Sequence, residues 1–228
     1  LRVSLLPLPD TILQIAKLPT GQAPEQWLAG EREQMAMAPF DLAADYPIRA
    51  KLLQLGAEKY QLLLCLHHIA VDGHAVSLLL EELAALYNGD SLIAVSVSYG
   101  QYTHWLQQDP QQRLLQRQAE YWQQRLAELP LQHQLATDYL RPAQQQFCGD
   151  IVRIELSRNQ LNALLQLAEQ QHTTLYQVLQ SGFAILLARF SQSVDIVMGT
   201  PVANRSEAWQ QELVGYLVNT VVVRNEVD

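Results

Sequence analysis

Leu62-Leu63-Leu64-Cys65-Leu66-His67-His68-Ile69-Ala70-Val71-Asp72-Gly73 is the stretch on which the reading of this chain turns. Residues 62–66 are apolar on both parities, which predicts a strand buried on both faces. Side chains alternate along a strand, so His67 shares a face with Leu63 and Cys65, and His68 with Leu62, Leu64 and Leu66. If that geometry persists to the strand's end, one imidazole faces the scaffold and the other a site, and the site side is assigned to His68. Gly73 is expected to supply a backbone conformation closed to other residues. The amides beside it open a helix, where unpaired N–H groups favour a carbonyl oxygen or an anion. Histidine titrates near neutrality and suits acid/base or positioning chemistry. Taken singly, the same residues fit blander roles. A buried His is commonly a hydrogen-bonded core residue, and Asp72 fits a helix N-cap. His67, His68, Asp72 and His74 are also potential metal ligands. However, a His-Glu-x-x-His signature and a nearby cysteine pair are absent.

The elements follow outward from this stretch. Residues 11–16 read as a strand, and 25–37 as a helix ended by Pro39. Residues 48–55 alternate as a strand and pair in a hairpin with 61–66 across Gly56-Ala57-Glu58-Lys59. Residues 74–88 form a helix with Val76, Leu79, Leu80, Leu83 and Leu86 on one stripe and Gly89 as its stop. The Gln-rich stretch 103–129 is helical with a break near Pro110. Residues 130–146 read as a crossover or linker. A strand is expected over 147–156. Ser157 with Gln160, and Thr174 with Gln177, have the spacing of capping boxes opening two helices. The second carries Leu175, Val178, Leu179, Phe183, Leu186 and Leu187 as expected core. Strands follow over 195–199 and 217–223. Strands and helices interleave on both sides of 130–146, which predicts two α/β lobes, 1–136 and 137–228.

The composition, 49% hydrophobic and 17% charged over 228 residues, is globular. The net charge of −8 argues against a nucleic-acid partner. An acidic protein partner needs a local basic patch, for which Arg113, Arg117 and Arg125 are candidates, or else an ordinary solvated helix face. Cys65 and Cys148 make no disulfide framework and fit a reducing, cytoplasmic compartment. No run of 18 apolar residues occurs, so no membrane span is expected.

His67-His68-Ile69-Ala70-Val71-Asp72-Gly73 resembles the HHxxxDG motif of nonribosomal peptide synthetase condensation domains, within the chloramphenicol acetyltransferase-like superfamily. Other segments match in order. Ala38-Pro39-Phe40-Asp41-Leu42 followed by Pro47-Ile48-Arg49-Ala50 resembles PFDL…PLxRA. Tyr99-Gly100-Gln101-Tyr102-Thr103-His104-Trp105 resembles YxDFAxW. Tyr121-Trp122 and Asp138-Tyr139-Leu140-Arg141-Pro142 resemble YW and DRPRP. Gly199-Thr200-Pro201-Val202-Ala203-Asn204-Arg205 and Val214-Gly215-Tyr216-Leu217-Val218-Asn219-Thr220 resemble GxPVAGR and GFFVNT. The departures are Gln101 for a usual Asp, Asn204 for Gly, Leu217 for Phe and His74 for a bulky aromatic. The family's first two and last two motifs have no counterpart in these residues, so the chain reads as the central part of a domain, inactive in isolation.

The resemblance implies an α/β fold, an α+β sandwich of two chloramphenicol acetyltransferase-like lobes in a V, both truncated, with the histidine motif on the floor of a tunnel. It implies amide formation between a donor acyl or peptidyl thioester and an acceptor aminoacyl thioester. These substrates ride on the phosphopantetheine of upstream and downstream peptidyl carrier proteins, next to an adenylation domain; no metal or cofactor is bound by the domain itself. His68 is the candidate for holding or deprotonating the amine, with His67 beside it, and the Gly73 amide for orienting the reacting groups. Asp72 is expected to pair with Arg205 as a structural ion pair. Asn219 is expected at a lobe contact or the tunnel lining, and Tyr99 and Trp105 in packing. Three alternatives compete. An epimerisation domain shares HHxxxDG but carries an EGHGRE-like segment where this chain has residues 199–205. A non-catalytic fragment or interaction module is favoured by Gln101, Asn204 and the missing motifs. A small-molecule O- or N-acyltransferase of the superfamily fits the carrier-type motifs less well.

Overall fold

The computed structural model describes residues 7, 12–130, 132, 134–140, 142–144 and 149–227. Two compact units form. One combines Leu1–Gln111 with Ala203–Asn219, the other Gln112–Val202 with Thr220–Asp228. This division cuts across the 1–136 and 137–228 lobes expected from the motifs, because 203–219 returns to pack with the first unit.

The first unit is built on a sheet of order β1-β2-β3, comprising Leu13–Lys17, Ile48–Gln54 and Tyr60–Leu66. β2 and β3 form the expected antiparallel hairpin, in register from Ile48 opposite Leu66 to Gln54 opposite Tyr60. β1 runs parallel to β2. Helix α1 (Pro24–Met37) begins with Pro24, whose missing N–H costs nothing in the first turn, and with Glu25 facing the positive end of the helix dipole. It ends where Ala38, forced extended by the following Pro39, leaves helical geometry. Trp27 of α1 packs on Leu53 of β2 and Leu63 of β3 as one buried cluster.

β3 is less enclosed than its apolar run predicts. Leu63 is buried under α1, but Leu64 on the opposite face is 37% exposed. Helix α2 (Gly73–Tyr87) stands over that face, and a cavity of about 450 Å³ lined by Leu64, Leu66, Val76, Leu79 and Leu83 separates them. The predicted apolar stripe of α2 is therefore only partly covered. Gly89 has φ +87°, the left-handed conformation expected of a helix stop.

Helices α3 (Tyr99–Leu106) and α4 (Asp109–Arg125) carry the expected helical stretch, with the expected interruption at 107–108 just before Pro110. Gln101 completes a capping box with Ser98. The Ser98 amide donates to Gln101 Oε1 at 2.7 Å, and the Gln101 amide to Ser98 Oγ at 3.3 Å. The residue that departs from the motif thus has a defined role in starting α3. Tyr102 of α3 is buried with Leu213 and Leu217, and Trp105 and Trp209 pack edge-to-face beside them with ring centroids 5.3 Å apart. This aromatic cluster draws 203–219 into the first unit.

The second unit contains α4 from Gln112 onward, α5 (Arg158–Gln170), α6 (Leu175–Ser191), β4 (Asp195–Val202) and, from Thr220 onward, β5 (Asn219–Glu226). Both predicted capping boxes are present, Ser157 with Gln160 and Thr174 with Gln177. Arg224 of β5 makes a two-pronged pair with Asp195 of β4, at 2.9 and 2.7 Å. Its Nη1 also donates to the carbonyls of Arg125 and Ala127, satisfying the C-terminal end of α4. Arg125 returns a bond from Nη2 to the Arg224 carbonyl, so its guanidinium closes this joint as well as belonging to the candidate basic patch. Two expectations fail here. Residues 149–156 form no strand, and 147 and 148 lie outside the described residues. Ile151, Val152 and Ile154 are over 80% exposed: no described strand pairs with them, and an apolar pattern without a ladder partner does not make a strand. The predicted core face of α6 is also open. Ala184 and Ser191 are buried, whereas Leu179, Phe183 and Leu186 are about half exposed, because α6 is apolar on more of its circumference than its neighbours cover.

Candidate active site

β3 ends at Leu66, so the alternation that assigned faces to the two histidines does not reach them. A turn takes over, in which the Ala70 amide donates to the His67 carbonyl at 3.0 Å. His67 is half-buried. Its Nδ1 accepts from the Ile69 amide at 3.1 Å, and its ring meets Phe40 edge-on at 5.6 Å. Phe40 in turn lies under the Arg49 guanidinium, 3.9 Å from the ring centroid. His68 is exposed, with Nδ1 2.7 Å from the Val71 carbonyl. A carbonyl oxygen only accepts, so Nδ1 is the donor, and in the neutral imidazole the lone pair then lies on Nε2.

Asp72 joins the loop to everything around it. Its side chain is fully buried and caps α2 by accepting from the Ala75 amide at 2.9 Å. Both carboxylate oxygens accept from Arg205 Nη2, at 3.0 and 3.1 Å, and Oδ2 also accepts from the Leu217 amide at 3.0 Å. The Asp72 amide donates to the Gly215 carbonyl at 3.2 Å. Arg205, buried as well, donates through Nη1 to the carbonyls of Gln210 and Leu213. The ion pair expected between the two motifs is therefore present, and it also serves as a helix cap, the blander reading of Asp72.

Burial pushes the Asp72 carboxyl upward, but the Ala75 and Leu217 amides and the Arg205 guanidinium outweigh it and hold its pKa below the ordinary value. The unfolded chain therefore takes up this proton first. The group's contribution to stability is complete above about pH 4, the range of a free carboxyl, and is lost as the pH falls through the lower folded value. Asp72→Asn should flatten the acid limb of stability against pH. Parallel limbs for the two proteins below about pH 4, by denaturant unfolding at a series of pH values, would contradict this.

Gly73 corrects an expectation. It is the first residue of α2, and its φ lies outside the left-handed region. A Cβ there meets no atom within 4 Å, so glycine leaves open space in front of the helix rather than permitting a special backbone conformation. Asp72 takes the Ala75 amide through its side chain and the Val76 amide through its carbonyl. The Gly73 and His74 amides have no partner among the described residues. His68, Gly73, Asp72 and Arg205 thus gather in the first unit; Asn219, the last residue of the 203–219 segment of that unit, is exposed at the first position of β5. Among the described residues no three His, Cys, Asp or Glu side chains come together to hold a metal ion.

Three contacts escape sequence reasoning. The Tyr216 ring packs edge-to-face on His68, centroids 5.3 Å apart. His74 Nε2 binds the Gln211 carbonyl at 2.7 Å. Gly215 lies beneath Tyr99, whose hydroxyl donates to the Tyr216 carbonyl at 3.1 Å. All lie in or beside the matched motifs, but separations of 117 and 137 positions carry no signal of contact. A Cβ on Gly215 sits 2.3 Å from Tyr99 Cδ2. Gly215→Ala should cost about 1–3 kcal/mol through forced displacement of that ring. A loss under about 0.5 kcal/mol by denaturant unfolding would show that the ring moves aside freely.

The sequence matches the family described as Condensation domain over residues 9–228. The chain belongs to the condensation domain family. Surfactin synthase subunit 1 of Bacillus subtilis (strain 168) is 39% identical over 177 residues, 77% of this chain and 5% of that protein. Tyrocidine synthase 3 of Brevibacillus parabrevis is 38% identical over 189 residues, 82% and 3% respectively. The condensation-domain chain thus spans only a few per cent of the length of these relatives. Among solved structures, a four-domain nonribosomal peptide synthetase bound to AMP and glycine matches 95% of this chain and 16% of that one, with a TM-score of 0.78 and 26% identity. The X-domain from teicoplanin biosynthesis matches 94% of this chain and 49% of that one, with a TM-score of 0.78 at 24% identity, a likeness of fold. The expected α/β, chloramphenicol acetyltransferase-like fold class is the one these neighbours share. Among the described residues no helix is long and apolar enough to cross a membrane.

Proposed function

We propose that this condensation domain forms an amide between two carrier-bound thioesters within a nonribosomal peptide synthetase. The amine of an aminoacyl group on the downstream carrier attacks the thioester carbonyl of the upstream acyl or peptidyl group. A C–N bond forms, the C–S bond breaks, and the phosphopantetheine thiol of the upstream carrier leaves. The amine must be neutral and aimed at the carbonyl. The proton it loses passes to the His68 imidazole or, with His68 holding the amine in place, to the leaving thiolate. The observation that carries this reading is the state of His68: Nδ1–H is committed to the Val71 carbonyl, and Nε2 is left as an acceptor on an exposed ring. The first-turn amides of Gly73 and His74, without a partner among the described residues, are donors available to a developing oxyanion. Asp72 and Arg205 serve as the clasp that fixes this loop. His67, tied to Ile69 and Phe40, serves the scaffold, and Asn219 lines the substrate path. An adenylation domain supplies the aminoacyl group; the condensation domain itself needs no bound metal or cofactor.

The test uses the complete synthetase with donor and acceptor carriers loaded beforehand. A new amide on the downstream carrier, with the donor stereocentre unchanged, is expected. Inversion of the donor stereocentre without amide formation would identify an epimerisation domain and overturn the reading.

A further inference from the structure

His68 is exposed and its ring makes one described hydrogen bond. One bond from Nδ1 fixes that atom but leaves the ring plane free to tilt about it, and the direction of the Nε2 lone pair depends on that plane. The second restraint is the edge-to-face contact with Tyr216, centroids 5.3 Å apart and planes at 85°. We propose that Tyr216 is a positioning residue that sets the working orientation of the His68 imidazole. This rests on the reading of His68 as the group that meets the amine.

Tyr216 suits the role because its backbone is held at three consecutive residues. The Gly215 carbonyl accepts from the Asp72 amide, the Tyr216 carbonyl from the Tyr99 hydroxyl, and the Leu217 amide donates to Asp72 Oδ2. The same carboxylate that caps α2 therefore locates the ring that abuts His68. The Tyr216 side chain is itself 40% exposed, and its hydroxyl makes no hydrogen bond among the described residues. Neither burial nor the hydroxyl accounts for an aromatic residue here; the perpendicular ring contact with His68 does.

Three variants of the complete synthetase separate the possibilities: Tyr216→Phe, Tyr216→Leu and His68→Ala, each assayed with preloaded carriers at saturation. Tyr216→Leu keeps bulk without a ring and should lower the maximal transfer rate about tenfold, with the half-saturating carrier concentration little changed. Tyr216→Phe keeps the ring and should stay within about twofold of the parent. An unchanged rate in Tyr216→Leu, or equal losses in Leu and Phe, overturns the positioning role. If Tyr216→Leu lowers the melting temperature of the synthetase, Tyr216→Met takes its place in the same comparison. His68→Ala tells the two failures apart. Parental transfer in that variant removes the reading of His68 and the proposal with it. Impaired transfer there beside parental transfer in Tyr216→Leu removes the positioning role alone.

Discussion

Asp72→Ala is expected to destabilise the protein by about 3–5 kcal/mol, because it leaves the buried Arg205 guanidinium without its counter-charge. The magnitude discriminates between two roles. Loss of an N-cap alone costs about 1 kcal/mol. Asp72 does cap α2, but its carboxylate also takes Arg205 and the Leu217 amide with both side chains out of solvent. Breaking such a pair exposes the cost of burying one charge unpaired, which exceeds what the pair contributes relative to an apolar replacement. Denaturant unfolding followed through Trp105 and Trp209, which sit in the cluster that 203–219 builds on α3, reports on this region. A loss near 1 kcal/mol would reduce Asp72 to its capping role. Arg205→Ala should come close to Asp72→Ala, and the double variant should fall well short of the sum, since the two act as one unit.

What was legible in the sequence is what depends on neighbours along the chain. The β2–β3 hairpin, the capping boxes at Ser157 and Thr174 and the stop at Gly89 each rest on a few adjacent residues whose chemistry allows one arrangement. The Asp72–Arg205 pair became legible only through matched motifs, since no periodicity links positions 133 apart. Where reasoning failed, it extended a local rule past its boundary. Strand alternation stops at Leu66, so the orientation of His68 comes from a turn and the Val71 carbonyl rather than from parity. Gly73 reads as a conformational necessity, yet its φ lies outside the left-handed region and a Cβ there meets no atom within 4 Å. The apolar pattern of 147–156 reads as a strand and the apolar residues of α6 as core, though both need partners that sequence pattern cannot supply. The contacts that shape the site most, Gly215 under Tyr99 and Tyr216 against His68, are fixed by the return of 203–219 to the first unit, a tertiary event.

The site's second large expected effect concerns activity. His68 is exposed, so its replacement should leave the fold and the loading of both carriers intact. Loading is chemistry of other domains, and the Asp72–Arg205 clasp does not use the imidazole. General acid–base assistance or its positional equivalent is worth about a hundredfold or more. Positioning can carry much of this, because a thioester is already activated toward an amine. The direct measurement is single-turnover peptide transfer between preloaded donor and acceptor carriers in the complete synthetase, parent against His68→Ala. The account predicts a fall of at least about a hundredfold with loading unchanged, whereas transfer at the parental rate would contradict it.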